Sequence, residues 1–198
     1  GAVWILFLNA NGTVKATQKI SNTQGNFTGV LNNGNTLGSS VTSIGDLNGD
    51  GITDIALGVL LDDDGGQDRG AVWILFLDTN GTVKSHQKIS NTQGNFTGVL
   101  DNFDYFGSSV TSIGDLNGDS IPDIAVGAEA DDDGGLNMGA IWILFLNTNG
   151  TVKADQKISN TVGNFTGGLV NDDRFGGSTS SIGDLDGDSI TDIAIGAY

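Results

Sequence analysis

Apolar positions along the chain fall into two kinds of run. In "AVWILFL" (Ala2 to Leu8), Ala2, Trp4, Leu6 and Leu8 face one way and Val3, Ile5 and Phe7 the other. Both faces are apolar, which predicts a strand sandwiched between layers. In "TVKATQKI" the face of Val14, Ala16 and Ile20 opposes one carrying Lys15, Thr17 and Lys19. That pattern predicts an outer strand whose lysines resist stray pairing. The link between the two runs, "NANGT", holds Asn-Gly, the strongest short hairpin signal. "LGSSVTSIGDL" (Leu37 to Leu47) alternates in part and is rich in Ser, Thr and Val. An acidic loop joins it to "DIALGVL", so these two runs form a second hairpin.

The pattern then starts again. "GAVWILFL" stands at Gly1 and at Gly70, and "GAIWILFL" at Gly139, a period of 69 residues. The repeat units are 1–69, 70–138 and 139–198, the last one truncated, within a single domain. Each unit reads as four strands and no helix. Antiparallel four-stranded units in series, apolar on both faces, can bury those faces only against the next unit, so the fold class is all-β with β-propeller-type blades. The chain begins with the third and fourth strands of a blade and ends with the first and second, so the termini split one blade. Three units are fewer than the roughly four to eight that close a propeller. Completion between subunits is expected, head to tail, as a ring or a filament. Pairing of the two halves within one distorted chain, or excision from a longer propeller, are the alternatives. With no initiator Met and no signal peptide, the sequence reads as a processed or excised piece.

Composition narrows the partners. The net charge of -16, from 24 acidic against 8 basic residues, argues against nucleic acid and favours cations. No run of 18 apolar residues exists, so membrane insertion is not expected. Glycine, at 32 of 198 residues, implies many turns, and the absence of cysteine excludes disulfides and thiolate-bound zinc. Nothing points to an enzyme. The lone histidine, His86, is replaced by Thr17 and Asp155 in the sister units, lies on the lysine-bearing face and reads as a solvated surface residue. The serines have no base assigned to them.

The chemistry gathers in the acidic loops. In "GDLNGDGITDIALG", Asp46, Asn48 and Asp50 offer side-chain oxygens at alternate positions, Ile52 a main-chain carbonyl, and Asp54 a further carboxylate. The same set recurs as Asp115, Asn117, Asp119, Ile121 and Asp123, and as Asp184, Asp186, Asp188, Ile190 and Asp192. Hard oxygens around a Gly-rich turn are what Ca²⁺, with about six to eight oxygen ligands, requires. Three sites are expected. Mg²⁺ is the lesser candidate, and without Glu at the twelfth place the loop is a strand-loop-strand site rather than an EF-hand. The sixth place is Gly51, then Ser120 and Ser189, where a left-handed backbone would cost the serines something. The "DDD" runs at Asp62 and Asp131 read as solvated charge, with a weak second cation site as the alternative.

"FGSSVTSIGDLNGDSIPDIAVGA" (Phe106 to Ala128) resembles the FG-GAP repeat of integrin α-subunit propellers and of many bacterial extracellular proteins. Phe106-Gly107 and Phe175-Gly176 match its first element, Leu37-Gly38 departs conservatively, and the last element is reduced to "GVL", "GAE" and "GAY". The run "VWILFLNTNGTVKADQKIS" looks more like bacterial members. The resemblance covers all three units. It implies propeller blades, Ca²⁺ between the first two strands, an extracellular or cell-surface location, and adhesion or recognition rather than catalysis.

In such a meander the acidic loops and "NGT" hairpins share one face, and variation gathers on the other. There "NNGNT" becomes "DNFDY" and "VNDDR", which singles out Phe103, Tyr105 and Arg174 as anchors for a protein or glycan ligand. Six Asn-x-Ser/Thr sequons fall in register: Asn11, Asn80 and Asn149 in "NGT", and Asn26, Asn95 and Asn164 in "NFT". These are possible glycosylation sites. Hairpin chemistry also accounts for the first set, and Phe27, Phe96 and Phe165 as plugs between blades account for the second. The leading function is a calcium-binding extracellular structural or adhesion module that self-associates. A carbohydrate-binding propeller, or a non-catalytic domain of a larger secreted protein, is the alternative.

Overall fold

A computed structural model describes all residues, 1–198, as twelve strands without a helix. β1 (Val3–Leu8) and β2 (Val14–Ile20) form a two-stranded sheet. β3 (Leu37–Gly45), β4 (Asp54–Val59), β5 (Ala71–Leu77) and β6 (Val83–Ile89) form a four-stranded sheet in chain order. A second such sheet holds β7 (Phe106–Gly114), β8 (Asp123–Ala128), β9 (Ala140–Leu146) and β10 (Val152–Ile158). β11 (Ser178–Gly183) and β12 (Asp192–Gly196) complete the set as a two-stranded sheet. Every neighbouring pair is antiparallel. The four strands expected per unit are present, and each complete sheet draws its strands from two successive periods, as the split blade at the termini implies. The two half-sheets are not paired with one another.

The hairpins follow their turn chemistry. Asn9 N donates to Thr13 O at 2.8 Å and Gly12, at φ +82°, takes the left-handed place that the turn needs. Just before each such turn the register slips by one residue, at Phe7/Leu8 and at Phe76/Leu77. A bulge there adds local twist.

The sheets stack face to face, and β4, β5 and β8 are buried along their whole length, as their two-sided apolar pattern requires. β3 lies beside β7, and β7 beside β11. Between the complete sheets sits a core that includes Ile74 and Phe76 of β5, Val110 of β7, and Trp142 and Leu144 of β9. Each such side chain contributes roughly 1.5–3 kcal/mol by leaving water. Phe96, from the segment after β6, enters this core, its ring centroid 5.1 Å from that of Phe106 and 4.9 Å from that of Trp142. Phe27 meets Trp73 at 5.1 Å, and Phe165 meets Phe175 at 4.8 Å. The three phenylalanines of "NFT" therefore plug the gaps between sheets.

Close backbone approach sets the spacing of the stack. A Cβ on Gly58 would lie 2.0 Å from the carbonyl oxygen of Gly107 in the next sheet, and one on Gly127 would lie 2.0 Å from that of Gly176. Ser40 and Ser109 donate their hydroxyls to those same two oxygens at 2.9 and 2.7 Å. Gly107 and Gly176 sit at φ +91° and +100°, where a side chain is strained. The Phe-Gly element thus has a packing role: Phe106 is buried and its glycine lets two backbones touch.

Candidate functional site

The acidic loops lie where the first strand of a sheet turns into the second. Asp46 follows β3 and gathers the loop around itself, its two oxygens accepting from Asp50 N at 3.0 Å and Gly51 N at 2.7 Å. Asn48 Oδ1 accepts from Asp50 N, and Asp50 Oδ1 from Ile52 N. Asp115 and Asp184 repeat the arrangement, accepting from Ser120 N and Ser189 N. Gly51 has φ +84°, and Ser120 and Ser189 adopt the same left-handed backbone at +68° and +74°. The strain foreseen for the serines is therefore present.

Asp54, the last acid of the first loop, is fully buried below it. Its oxygens accept from Leu47 N and Leu77 N, both at 3.1 Å, so it ties the loop to β5. Asp123 does the same with Leu116 N and Leu146 N. Burial raises both carboxyls above their ordinary value, and the neighbouring acids of the loop add to it. In the third loop oxygens of Asp184, Asp186 and Asp188 converge within 4.8 Å of one another, all exposed. Hard oxygens that close, with main-chain donors already holding them in place, fit a divalent cation. In the first two loops a lysine from the sheet's last strand reaches in. Lys84 Nζ lies 2.9 Å from Asp50 and Lys153 Nζ 2.8 Å from Asp119, and those hydrogen bonds hold both carboxyls below the usual range. Asn48 lines one cavity with Thr148 and Asn149, so acidic loops and "NGT" hairpins share a face as expected.

At the opposite end of the sheet the "DDD" connector differs from its reading as solvated charge. Asp62 is buried and accepts from Lys88 Nζ at 2.7 Å and Asn35 Nδ2 at 2.8 Å. Lys88 is buried too, reaches Asp64 at 3.2 Å and lies 5.9 Å from the centre of the Trp73 ring. Burial works to raise the Asp64 carboxyl, but donors from Ser90, Thr92 and Gln93, with the Lys88 charge, bring it down to about 2. Lys157, Asp131 and Asp133 repeat the cluster. The cation of this connector is a lysine of the chain itself, and the strand carrying it is no simple solvated edge. The sequence signal was the shared spacing, since Lys88 and Lys157 each stand 26 residues after the first Asp of a triplet.

His86 is likewise half-buried, not solvated. Its ring lies 5.1 Å from both Phe27 and Trp73, Nε2 is 3.0 Å from the Thr28 hydroxyl, and burial lowers its pKa. Asp155, its counterpart, accepts from the Thr97 hydroxyl at 2.7 Å. A cavity of about 460 Å³ opens beside His86, Trp73, Lys88 and Asp63.

On the variable face, Phe103 is 43 % exposed, whereas Tyr105 and Arg174 are half-buried. Arg174 pairs with Glu129 at 3.4 Å. All three take left-handed backbone, at φ 73°, 57° and 50°. The six sequon asparagines are exposed. Asn11, Asn80 and Asn149 each accept the hydroxyl of the sequon threonine at 2.7 Å inside the hairpin turn. Asn26, Asn95 and Asn164 are left-handed, a place that asparagine tolerates better than most residues. No helix is long and apolar enough to cross a membrane.

A profile of the FG-GAP repeat matches residues 37–75 and 106–144, which are the first three strands of each complete sheet almost to their ends. The chain is 34 % identical to integrin alpha-2 of Mus musculus over 197 residues, 95 % of this chain and 15 % of that protein. It is 32 % identical to integrin alpha-2 of Bos taurus over 100 % of this chain and 15 % of the relative. Integrin alpha-11 of Mus musculus is 34 % identical over 83 % of this chain and 13 % of its own length. The chain thus spans about 15 % of the length of the curated relatives it matches.

Proposed function

The chain is an FG-GAP repeat protein, and from that premise we propose that it is a calcium-stabilised extracellular module for adhesion or structure rather than catalysis. Three loops each hold one Ca²⁺: Asp46, Asn48, Asp50, the Ile52 carbonyl and Asp54; Asp115, Asn117, Asp119, the Ile121 carbonyl and Asp123; Asp184, Asp186, Asp188, the Ile190 carbonyl and Asp192. The observation that carries the reading is the approach of three carboxylates within 4.8 Å in the third loop, whose main-chain hydrogen bonds to the first Asp recur in the other two. Without a cation, like charges that close repel by roughly a kcal/mol per pair even in water. Bound calcium neutralises them and pins the first hairpin of each blade. The variable face, with Phe103, Tyr105 and Arg174, is the ligand face, and glycans are carried on the exposed sequons.

The half-sheets are completed by a second copy of the chain, head to tail. Trp4, Leu6 and Leu8 are 56 %, 52 % and 60 % exposed on the open face of β1, an apolar surface that association would cover. A second reading has its own support: the relatives are several times longer, so further repeats of one longer polypeptide would cover the same face. Calorimetry with Ca²⁺ and thermal unfolding with and without EDTA test the first part, the expected results being heat of binding and a lower melting temperature in chelator. No calcium uptake together with chelator-independent melting would refute it. Light scattering at micromolar protein tests the second part, a mass above one chain being expected and a monomer favouring the longer-polypeptide reading.

A further inference from the structure

In the sheet of β3–β6 the buried Asp62 has an amide donor, Asn35 Nδ2 at 2.8 Å, in addition to Lys88. One period later both places are carboxylic acids: Asp104 stands where Asn35 stood, and Asp131 corresponds to Asp62. Both are buried, with 4 % and 3 % of their surface exposed. Asp104 Oδ2 accepts from Asp101 N at 2.8 Å, and its main-chain carbonyl accepts from Ala130 N at 3.3 Å, next to Asp131. Asp131 accepts from Asp133 N at 3.0 Å and pairs with Lys157 at 2.8 Å. Lys157 is shared with Asp133 at 3.2 Å, so one cation serves two carboxylates before Asp104 is counted. Two buried carboxylates cannot both ionise there cheaply, and a carboxylate has no hydrogen to donate.

We infer that below neutral pH Asp104 carries a proton and donates to Asp131 the hydrogen bond that Asn35 donates to Asp62, so that the segment from Asp101 to Tyr105 is held by a pH-sensitive latch. The charged groups facing Asp104 are Asp101 on its own segment, Asp131 on the connector and Lys157 on β10, and Asp133 competes for that lysine. Burial first, then the charges of Asp131 and Asp101, push its carboxyl up to about 7, against the Asp101 N–H and Lys157. Burial also raises Asp131. Because the folded value exceeds the ordinary 3.8, only the folded state holds the proton between those limits. Stability therefore falls as pH rises through that window, and the loss is complete only about one pH unit above the folded value.

The test is the titration of ¹³C-labelled aspartate carboxyls by NMR, at saturating Ca²⁺, in the wild type and in Asp104→Asn, which copies a residue the fold already accepts at Asn35. One carboxyl with a midpoint near 7 is expected in the wild type and none in the variant. Thermal unfolding of the wild type should lose ground to Asp104→Asn between about pH 5 and about pH 8. The converse variant, Asn35→Asp, should add a second such carboxyl. If the resonance lost in Asp104→Asn titrates in the ordinary carboxylate range, or the variant's melting temperature falls with pH as steeply as that of the wild type, the latch is refuted.

Discussion

Trp4 and Trp73 stand at the same place in identical octapeptides, yet Trp73 is 5 % exposed and Trp4 is 56 % exposed. The difference lies in what covers them. Phe27, arriving from the segment after β2, meets the Trp73 ring edge-on, while no segment arrives over Trp4. Substituting alanine should therefore cost about 3–5 kcal/mol at Trp73. At Trp4 the cost should be within about 0.5 kcal/mol. Urea unfolding of the two variants at low protein concentration measures both. Equal costs would mean that something covers Trp4 in solution.

Lys88 and Asp62 form a pair that is almost wholly buried, their side chains 10 % and 2 % exposed. Lys88→Met leaves Asp62 buried without a cation and should cost about 3–5 kcal/mol, whereas Asp62→Ala, which leaves Lys88 its contact with Asp64, should cost less. A double-mutant cycle by chemical unfolding should return a double variant less damaged than the sum of the two singles. Simple additivity would place the pair outside the core of the blade's stability.

Lys84 occupies an oxygen of Asp50 that a bound cation would need. Lys84→Met should raise calcium affinity at the first loop, by up to about fivefold because the lysine is exposed and its pair is worth little. Calorimetric titration checks it, with Lys15→Met, on the half-sheet, as the control. Weaker binding in Lys84→Met would show that the lysine helps to form the site.

Ser120 and Ser189 take a backbone that glycine supplies freely at Gly51. Ser120→Gly and Ser189→Gly should each stabilise the protein by about 0.5–1 kcal/mol, the relief of left-handed strain exceeding the extra freedom of the unfolded glycine. Thermal unfolding with calcium present reports it. A loss of stability would mean that the serine hydroxyls do more than the backbone requires.

Much of the fold was legible because its signals are local and repeated. The two-sided apolar run became the buried β5, Asn-Gly became the hairpin turn, and the period gave the order of the sheets. Lys88 was not legible as a buried residue. A lysine alternating with Val and Ile along a strand reads as solvent-facing unless the carboxylates that receive it are known, and those lie on a connector before the preceding strand. His86 misled for a related reason. Its column of Thr17, His86 and Asp155 is polar, but the Phe27 ring that covers it comes from outside its own hairpin. The alternating oxygens of the acidic loops were plain in the sequence, whereas the lysine seated on Asp50 could be found only from the folded sheet.

The contact between Gly58 and the Gly107 carbonyl is made of main-chain atoms, and the same contact recurs between Gly127 and Gly176. A junction built this way is indifferent to which two copies it joins. Duplication or deletion of a whole period of 69 residues leaves every remaining junction intact, while a partial one would press a side chain against a carbonyl. Genes for such chains can thus lengthen or shorten by unequal crossing-over in whole modules, and the register survives wherever within the period the crossover falls.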